Sequence, residues 1–281
     1  MAQRAPRIPD PAPATAPAGR ASAFDHDAAD YDATFTDSAI GRALRRIVWS
    51  HLDRSLRGCS SILELGCGTG EDAVHLARDH PHIVATDASP AMIEVARRKA
   101  SAAGYGHAIE WHCLPMEEAR AVLGPRSFDA IFSDFGAVNC ARDLPALIAD
   151  SAALVRPGGK LLWVVMGRNA PWEWAWYALR GEWRKAWRRH QPGGVRWRGL
   201  TIRYPTPAEM TRRLQPWFAA ERCAPLGFAL PPSYAGGWLE RSPGALSVLT
   251  ALERAVQGVG AFASLADHYI IEATRTPVAH P

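Results

Sequence analysis

The chain has 281 residues, of which 48% are hydrophobic and 21% charged, so it is long enough and apolar enough to bury a full core. Its formal net charge of +4 is too small to indicate a nucleic-acid-binding protein by itself. The five cysteines are odd in number and never spaced as Cys-x-x-Cys, so we expect reduced thiols, no zinc site and no disulfide framework.

The N-terminal 23 residues differ in composition from the rest of the chain. They contain five prolines and eight alanines but almost no large apolar side chain, so we expect a disordered tail over residues 1–23. This region also lacks the apolar core of a signal peptide. The longest strong apolar run, Leu161 to Met166, has the length of a strand and not of a membrane span. We therefore expect a cytoplasmic protein.

From residue 24 onward the pattern indicates repeated helices and strands. Apolar residues at three- and four-residue steps predict N-terminal lid helices over residues 24–60. Strand and helix patterns then alternate through a predicted core over residues 61–167, which indicates a parallel sheet covered on both faces. The predicted core strands are 62–65, 82–86, 109–113, 128–133 and 160–166, separated by helices 71–79, 90–103, 117–123 and 144–155.

The remaining chain is expected to add an insertion and then complete the sheet. Residues 168–204 form the predicted insertion, and residues 205–281 contain a helix, two further strands and a second irregular insertion. The predicted elements are helix 207–215 and strands 218–226 and 268–274. The expected fold is therefore a doubly wound, mostly parallel, seven-stranded α/β sheet of the Rossmann-like type.

The first core strand, residues 62–65, runs directly into Gly66, Gly68 and Gly70 and then into a helical pattern. Glycine allows backbone with φ > 0 and close approach by a ligand, and a helix N-terminus presents free N–H groups. Seventeen residues beyond Gly70, Asp87 ends the second strand, where its carboxylate can accept ribose hydroxyls. These features together predict a site for an adenosine-containing ligand. The glycine spacing is one residue shorter than the dinucleotide fingerprint, which counts against a nicotinamide dehydrogenase.

Three motifs resemble those of the class I S-adenosylmethionine-dependent methyltransferases. They are residues 64–70 (Glu-Leu-Gly-Cys-Gly-Thr-Gly), residues 87–92 (Asp-Ala-Ser-Pro-Ala-Met) and residues 156–160 (Arg-Pro-Gly-Gly-Lys). Residues 128–139 are similar to the fourth-strand segment of the quinone C-methyltransferases and their small-molecule relatives. The resemblance covers about residues 24–166 and the last strands, and it implies S-adenosylmethionine as cofactor.

The resemblance also implies roles for individual residues. Glu64 would face the methionine amino group, the glycine turn would admit the methionine moiety, and Asp87 would hold the ribose hydroxyls. The chain lacks the usual carboxylate after the third strand, so Met116 or Glu117 would contact the adenine amine. Tyr31 would close over the methionine end or pack as a lid aromatic. The full cofactor-binding set is Tyr31, Glu64, Gly66, Cys67, Gly68, Gly70, Asp87, Ala88, Met92, Met116, Glu117 and Asp134.

The predicted catalytic residues are Asp134, at the end of the fourth strand, and Asn139. A sulfonium methyl group is already activated, so a base is needed only if the acceptor keeps a proton. Asp134 therefore has two interpretations, as a base or as a loop or cofactor contact. Nucleic-acid and protein-amide N-methyltransferases of this fold typically carry Asn/Asp-Pro-Pro-Tyr/Phe here. Ser133-Asp134-Phe135-Gly136 lacks both prolines, so we expect no nucleic-acid partner.

Residues 168–204 contain most of the tryptophans and many basic residues. Their aromatic residues recur at three- and four-residue steps, which predicts one stripe on a helix about 24 Å long. The stripe has three open interpretations: packing on the core, walling an apolar substrate pocket, or contacting a membrane interface. Its members are Trp172, Trp176, Leu179, Trp183 and Trp187. The candidate substrate-binding residues are Arg168, Trp172, Trp176, Tyr204 and Tyr234.

Together these features predict methyl transfer, by in-line displacement, to a hydrophobic small molecule of aromatic or polyketide-like character. The alternative hypothesis is a non-catalytic S-adenosylmethionine-binding protein, or one directed at a macromolecule or membrane, that uses the basic, tryptophan-rich segment. No metal is predicted, and the sequence leaves the oligomeric state open.

Overall fold

A computed structural model describes residues 23–277, so the predicted tail lies, apart from its last residue, outside the described part. Two sheets are formed by nine strands in this part of the chain. They are β1 (Ser61–Leu65), β2 (His82–Asp87), β3 (Ile109–Cys113), β4 (Phe128–Ser133), β5 (Val155–Met166), β6 (Val195–Trp197), β7 (Leu200–Ile202), β8 (Phe218–Leu226) and β9 (His268–Arg275).

The main sheet has seven strands in the order β3-β2-β1-β4-β5-β9-β8. Strands β1 to β5 are parallel, whereas β9 runs antiparallel between β5 and β8. This confirms the predicted doubly wound, mostly parallel architecture. The strand order reverses between β1 and β4, and in such sheets ligands bind beyond the carboxyl ends of the strands at that reversal.

Helices cover both faces of the sheet, and the side chains of each strand alternate between two buried clusters. The helices in the described residues are α1 (Ala39–Ser55), α2 (Glu71–Leu76), α3 (Pro90–Ala102), α4 (Ala119–Leu123), α5 (Leu144–Leu154), α6 (Pro171–Ala178), α7 (Trp183–Ala186), α8 (Pro207–Leu214) and α9 (Pro243–Ala255). One cluster includes residues of α1, α2 and α3, with α9 packed against it, and the other includes residues of α4, α5 and α8.

The helices begin close to the predicted residues, because capping residues are neighbours in the sequence. The Ser89 side chain accepts a hydrogen bond from Met92 N at 3.1 Å, and Pro90 occupies the first position of α3. Thr206 and Glu209 form a complete capping box at the start of α8. One strand boundary was predicted too late, since β5 begins at Val155, where it pairs with β4 before a shift in register.

The prediction of one long aromatic helix after β5 is wrong. Helix α6 ends at Ala178 and α7 begins at Trp183, with Gly181 between them at φ +72°. A left-handed residue cannot continue a right-handed helix, so the stripe is divided. Trp183 is 62% exposed and Leu179 is 86% exposed, so this half of the stripe does not pack on the core.

The short hairpin of β6 and β7 follows α7 and contacts the N-terminal segment. The rings of Phe24 and Trp197 lie 5.1 Å apart, and Arg198 pairs with Asp27 at 2.6 Å. The insertion and the N-terminal lid segment are thus joined to each other. Within residues 23–277, no helix combines the length and the apolar character that a membrane crossing requires.

Candidate cofactor and acceptor site

The glycine turn lies at the carboxyl end of β1, beside the loop that follows β4. Gly66 has φ +73°, and a Cβ added there would lie 2.4 Å from the Cβ of Ala137, so a side chain has no room. Gly68 has φ +52°, and a Cβ there would meet no heavy atom within 4 Å. The turn therefore packs against the β4 loop on one side and is open on the other.

Asp87 is attached to this turn by hydrogen bonds. Its Oδ2 accepts from the Gly68 N–H at 2.9 Å and its Oδ1 accepts from the Ser89 N–H at 2.8 Å. Burial raises the pKa of Asp87, although these hydrogen bonds act in the opposite direction. Of the predicted neighbours, Ala88 is exposed and Met92 is buried in α3. The carboxylate is therefore fixed in orientation beside the open side of the turn.

The other predicted cofactor residues lie around the turn in different environments. Cys67 is buried within it, and burial raises the pKa of its thiol. The methyl carbon of Met116 lies 4.0 Å from the Cβ position of Gly66, so this side chain borders the turn. The Glu117 carboxylate instead accepts a hydrogen bond from the Arg142 backbone at 2.9 Å. Met116 is therefore the better placed of the two alternatives for an adenine contact.

Three buried carboxyl groups lie together beside the turn. Glu64 is on β1, Asp72 is on α2 and Asp134 follows β4, and they are 1%, 4% and 7% exposed. Arg45 of α1 forms a hydrogen-bonded ion pair with Asp72 and lies 3.8 Å from Asp134. The Trp49 indole also donates to Asp72, at 2.7 Å. The cluster therefore contains three carboxyl groups and one guanidinium.

The electrostatics of this cluster favour a cationic ligand. Burial, followed by the charges of Asp72 and Asp134, raises the pKa of Glu64 well above its usual range. Burial and the Asp72 charge act likewise on the pKa of Asp134. Burial also acts to raise the pKa of Asp72, but the charge and hydrogen bond of Arg45 outweigh it and lower that pKa. Asp72 is therefore the ionised partner of Arg45.

Two oxygens of the cluster lack hydrogen-bond partners among the described residues, namely Glu64 Oε2 and Asp134 Oδ2. Buried polar atoms are normally satisfied, and an orphaned carboxylate oxygen is costly. An ammonium group supplies both positive charge and N–H donors. The cluster therefore fits the amino group of S-adenosylmethionine.

The N-terminal segment is tied to the cofactor side of the site. Asp32 accepts a hydrogen bond from Thr69 Oγ1 at 2.7 Å and lies 2.8 Å from Lys99 Nζ. Next to it, Tyr31 lies within electrostatic range of Arg45, and burial raises its pKa to about 12. The Tyr31 phenol thus keeps its proton at neutral pH and can donate a hydrogen bond.

Aromatic side chains lie beside Asp134, where the acceptor would enter. The ring of Phe135 lies 4.7 Å from Phe35 and 5.8 Å from His268, and the Arg45 guanidinium lies 4.9 Å from its centroid. Phe135 has φ +38°, a backbone conformation that is strained for a non-glycine residue and often found at functional sites. The two phenylalanine rings, Phe35 and Phe135, form an apolar wall at the end of β4.

Sequence reasoning missed Arg45, Phe35 and His268. Arg46 lies on the exposed face of α1, whereas its neighbour Arg45 is buried. The sequence position of Arg45 could have indicated this burial. Arg45 is three residues before the apolar Val48, so the two side chains lie on the same face of the helix. Nothing in the spacing indicates His268, because only the antiparallel pairing of β9 with β5 brings it to this edge.

His268 and Asp267 form a pair at the start of β9. The His268 Nδ1 lies 3.0 Å from an Asp267 oxygen. The edge of the site beside Phe135 therefore contains a histidine and a carboxylate that the sequence did not indicate.

The predicted catalytic residue Asn139 is engaged with the backbone. Its amide donates to the carbonyls of Met166 at 3.0 Å and Arg203 at 2.6 Å, and its Oδ1 accepts from Met166 N–H at 2.8 Å. These bonds hold the loop after β4 against the end of β5 and the end of the insertion. The catalytic role of Asn139 stays a prediction.

The five predicted substrate-binding residues are held mainly by contacts within the two insertions. Arg168 donates to Glu209 at 2.8 Å and the Trp172 indole to the Phe228 carbonyl at 3.1 Å. The Tyr234 hydroxyl donates to Glu173 at 2.8 Å. Arg180 lies over the Trp176 ring at 3.3 Å, and Arg189 over the Tyr204 ring at 5.1 Å. Their role in binding a substrate stays a prediction.

Comparison with known proteins agrees with this geometry. The sequence profile of the family described as "Methyltransferase domain" matches residues 62–159. The chain is 30% identical over 165 residues to a malonyl-[acyl-carrier protein] O-methyltransferase of Serratia marcescens, covering 58% of this chain and 59% of that enzyme. It is 31% identical over 149 residues to a demethylmenaquinone methyltransferase of Clavibacter sepedonicus, covering 51% and 57%. The chain thus spans somewhat more than half the length of these two relatives.

Solved structures share the fold. The [4+2]-cyclase SpnF superposes with a TM-score of 0.52 at 19% identity, covering 83% of this chain and 82% of the cyclase. A fold hosts more than one chemistry, so this likeness supports the architecture alone. The sequence matches go further, because they include the glycine turn, Asp87 and the β4 segment. The comparisons therefore support a class I S-adenosylmethionine-dependent methyltransferase domain over residues 62–159.

Proposed function

We propose that this protein binds S-adenosylmethionine across the glycine turn and catalyses methyl transfer to a hydrophobic small molecule. The observation that carries the proposal is the buried cluster of three carboxyl groups and Arg45, in which Glu64 Oε2 and Asp134 Oδ2 are unpartnered and fit a ligand ammonium. The cofactor would supply an activated methyl group for in-line displacement by the acceptor. The residues of the chain then have to align the two molecules and exclude water.

Each part of the site has a distinct role in this proposal. Asp87 would hold the ribose hydroxyls, since its orientation is fixed by the Gly68 and Ser89 N–H groups. Glu64 would accept from the ammonium. Asp134 is buried in the same cluster, so we assign it to the cofactor and not to proton transfer from the acceptor. Tyr31 would close the methionine end.

The apolar wall supports a hydrophobic acceptor. Phe35 and Phe135 present aromatic surface beside Asp134, and aromatic rings stack on flat or apolar molecules. The same side chains would displace water from the path of the methyl group. An acceptor of aromatic or polyketide-like character, as the sequence predicts, suits this surface.

Substitution of Asp87 tests the cofactor site directly. We expect Asp87→Ala to weaken binding of S-adenosylhomocysteine, measured by calorimetry, by about 10- to 100-fold, because charge-assisted hydrogen bonds contribute roughly 1.5–3 kcal/mol. Asp79→Ala, an exposed site after α2, is the matched control and should bind as the wild type does. Unchanged affinity in Asp87→Ala, or no binding by the wild type, would overturn the cofactor assignment.

A second candidate function is contact with a lipid surface, and the exposed half of the aromatic stripe favours it. Trp183 and Trp187 are 62% and 53% exposed, and Arg184 and Lys185 lie between them. Exposed tryptophan beside basic residues is typical of segments that lie in a membrane interface. A lipid-like acceptor would be compatible with such contact.

Co-sedimentation with vesicles tests this second function. We expect binding to phosphatidylcholine vesicles that contain phosphatidylglycerol, and a several-fold loss in the double variant Trp183→Ser/Trp187→Ser. Val122→Ser, which changes an exposed apolar residue on α4, is the control and should bind normally. Equal sedimentation of all three proteins would show that the segment does not contact lipid.

A further inference from the structure

A cavity of about 490 Å³ lies outside the cofactor cluster, between the β4 loop, the end of β5, the insertion and α8. This volume is within the range of small-molecule sites. Guanidinium groups dominate its charged lining, with only two carboxylates, Asp143 and Glu209. The arginines that line it are Arg142, Arg168, Arg189, Arg203 and Arg213.

Two of these arginines are committed to the protein. Arg189 is buried and donates to Glu173, Asp267 and backbone carbonyls with all three of its nitrogens. Arg168 donates to Glu209 at 2.8 Å and to the Tyr204 carbonyl at 3.2 Å. These two side chains therefore contribute positive charge and shape to the cavity, with few free donors.

The other three arginines retain free donors. Arg203 uses one nitrogen, which donates to the Ala141 carbonyl at 2.9 Å. The side-chain Nε of Arg142 lies 3.9 Å from the Glu117 carboxylate, too far for a hydrogen bond. Arg213 forms no ion pair or side-chain hydrogen bond with any residue of the described range 23–277. Three of the arginines that line the cavity therefore retain unused N–H groups.

The charges of Arg168 and Arg189 are offset by their carboxylate partners. The other lining carboxylate, Asp143, caps α5 by accepting from Ala146 N at 3.0 Å. Its single negative charge faces three remaining guanidiniums, so the lining has an excess of positive charge. The pKa of His190 at the rim is lowered by burial and by the charge of Arg168, which agrees with a positive local potential.

We propose that this cavity binds an oxyanion group with two or more negative charges, such as a phosphate, diphosphate or dicarboxylate. Guanidinium forks match such oxygens in geometry and charge, and they cost little to desolvate. The cavity adjoins the reaction site through Asn139, whose carbonyl accepts from the Arg203 N–H at 2.9 Å. The oxyanion therefore belongs to the methyl acceptor or to a separate small ligand beside it.

Calorimetric titration with inorganic pyrophosphate tests the site itself. We expect wild-type binding at concentrations below about 1 mM and at least a tenfold loss in Arg142→Gln/Arg213→Gln. Both side chains are exposed, so the variant should fold, and unchanged S-adenosylhomocysteine binding would verify this. Arg212→Gln is the matched control, since it lies on α8 outside the cavity. No pyrophosphate binding by the wild type, or equal binding by the double variant, would overturn the proposal.

A second measurement identifies the source of the oxyanion and rests on the proposed function. If pyrophosphate raises the KM for a methyl acceptor and leaves its kcat unchanged, the oxyanion is part of the acceptor. If it binds without inhibiting methyl transfer, the ligand is separate. Either result supports the site. If the protein binds pyrophosphate but not S-adenosylhomocysteine, the oxyanion-site proposal stands and only the proposed function is overturned.

Discussion

Replacing Arg45 by methionine is expected to lower the free energy of unfolding by about 3–5 kcal/mol, the usual cost of removing one partner from a buried ion pair. Arg45 is 5% exposed and is the guanidinium that faces Asp72 and Asp134. Without it, Asp72, Asp134 and Glu64 remain buried as three neighbouring carboxyl groups. Methionine preserves the apolar volume of the arginine side chain, so the loss of stability measures the effect of removing the charge.

Denaturant unfolding at neutral pH measures this effect. Arg46→Met is the matched control, because Arg46 is the next residue of α1 and is exposed, and it should change stability by less than about 0.5 kcal/mol. Arg45→Lys should recover part of the lost stability, since lysine restores the positive charge but not the planar set of guanidinium N–H donors. Equal stability of the Arg45→Met and Arg46→Met variants would show that the cluster does not depend on Arg45.

Replacing Glu173 by alanine is also expected to lower the free energy of unfolding by about 3–5 kcal/mol, because it removes one partner from a buried ion pair. Glu173 is fully buried in α6 and accepts hydrogen bonds from Arg188, Arg189 and the Tyr234 hydroxyl. Its removal leaves Arg189 with only Asp267 as a carboxylate partner. These contacts join α6, the segment after α7 and the second irregular stretch, so we also expect local loosening of the insertion.

The contribution of the Glu173 carboxylate to stability is expected to decrease at acidic pH. Burial acts to raise the pKa of Glu173, but Arg189 and Arg188 outweigh it and lower that pKa below its usual 4.5. A depressed carboxyl pKa stabilises the fold above the unfolded-state value, and this contribution disappears as pH falls through the folded-state value. The stability difference between wild type and Glu173→Gln should therefore be full at neutral pH and shrink below about pH 4.5.

Urea unfolding between pH 7 and pH 4, with hydrogen exchange of the insertion, checks both expectations. Glu182→Gln is the control, since Glu182 pairs with Lys185 on the surface and such pairs contribute about 0–1 kcal/mol. A Glu173→Ala protein as stable as this control would show that the buried ion network does not hold the insertion in place.

The core of the fold was predictable from sequence because its signals are local. Alternating apolar runs predicted every strand of the main sheet, and caps such as Ser89-Pro90 fixed helix starts within a few residues. The glycine turn and Asp87 lie within one β-α-β unit, so their spacing predicted the edge of the sheet at which a ligand binds. The insertion was less predictable, since Gly181 interrupts a pattern that otherwise continues as one helix.

By itself, the sequence predicted the strands of the sheet, the glycine turn and the resemblance to methyltransferases, since each depends on residues close together in order. Only the tertiary structure decided which charged and aromatic side chains lie in contact. Arg45 reaches Asp72 and Asp134 because α1 packs on the sheet, and His268 reaches Phe135 because β9 runs antiparallel beside β5. Such contacts join residues up to 133 positions apart, and a linear pattern contains no distance between them.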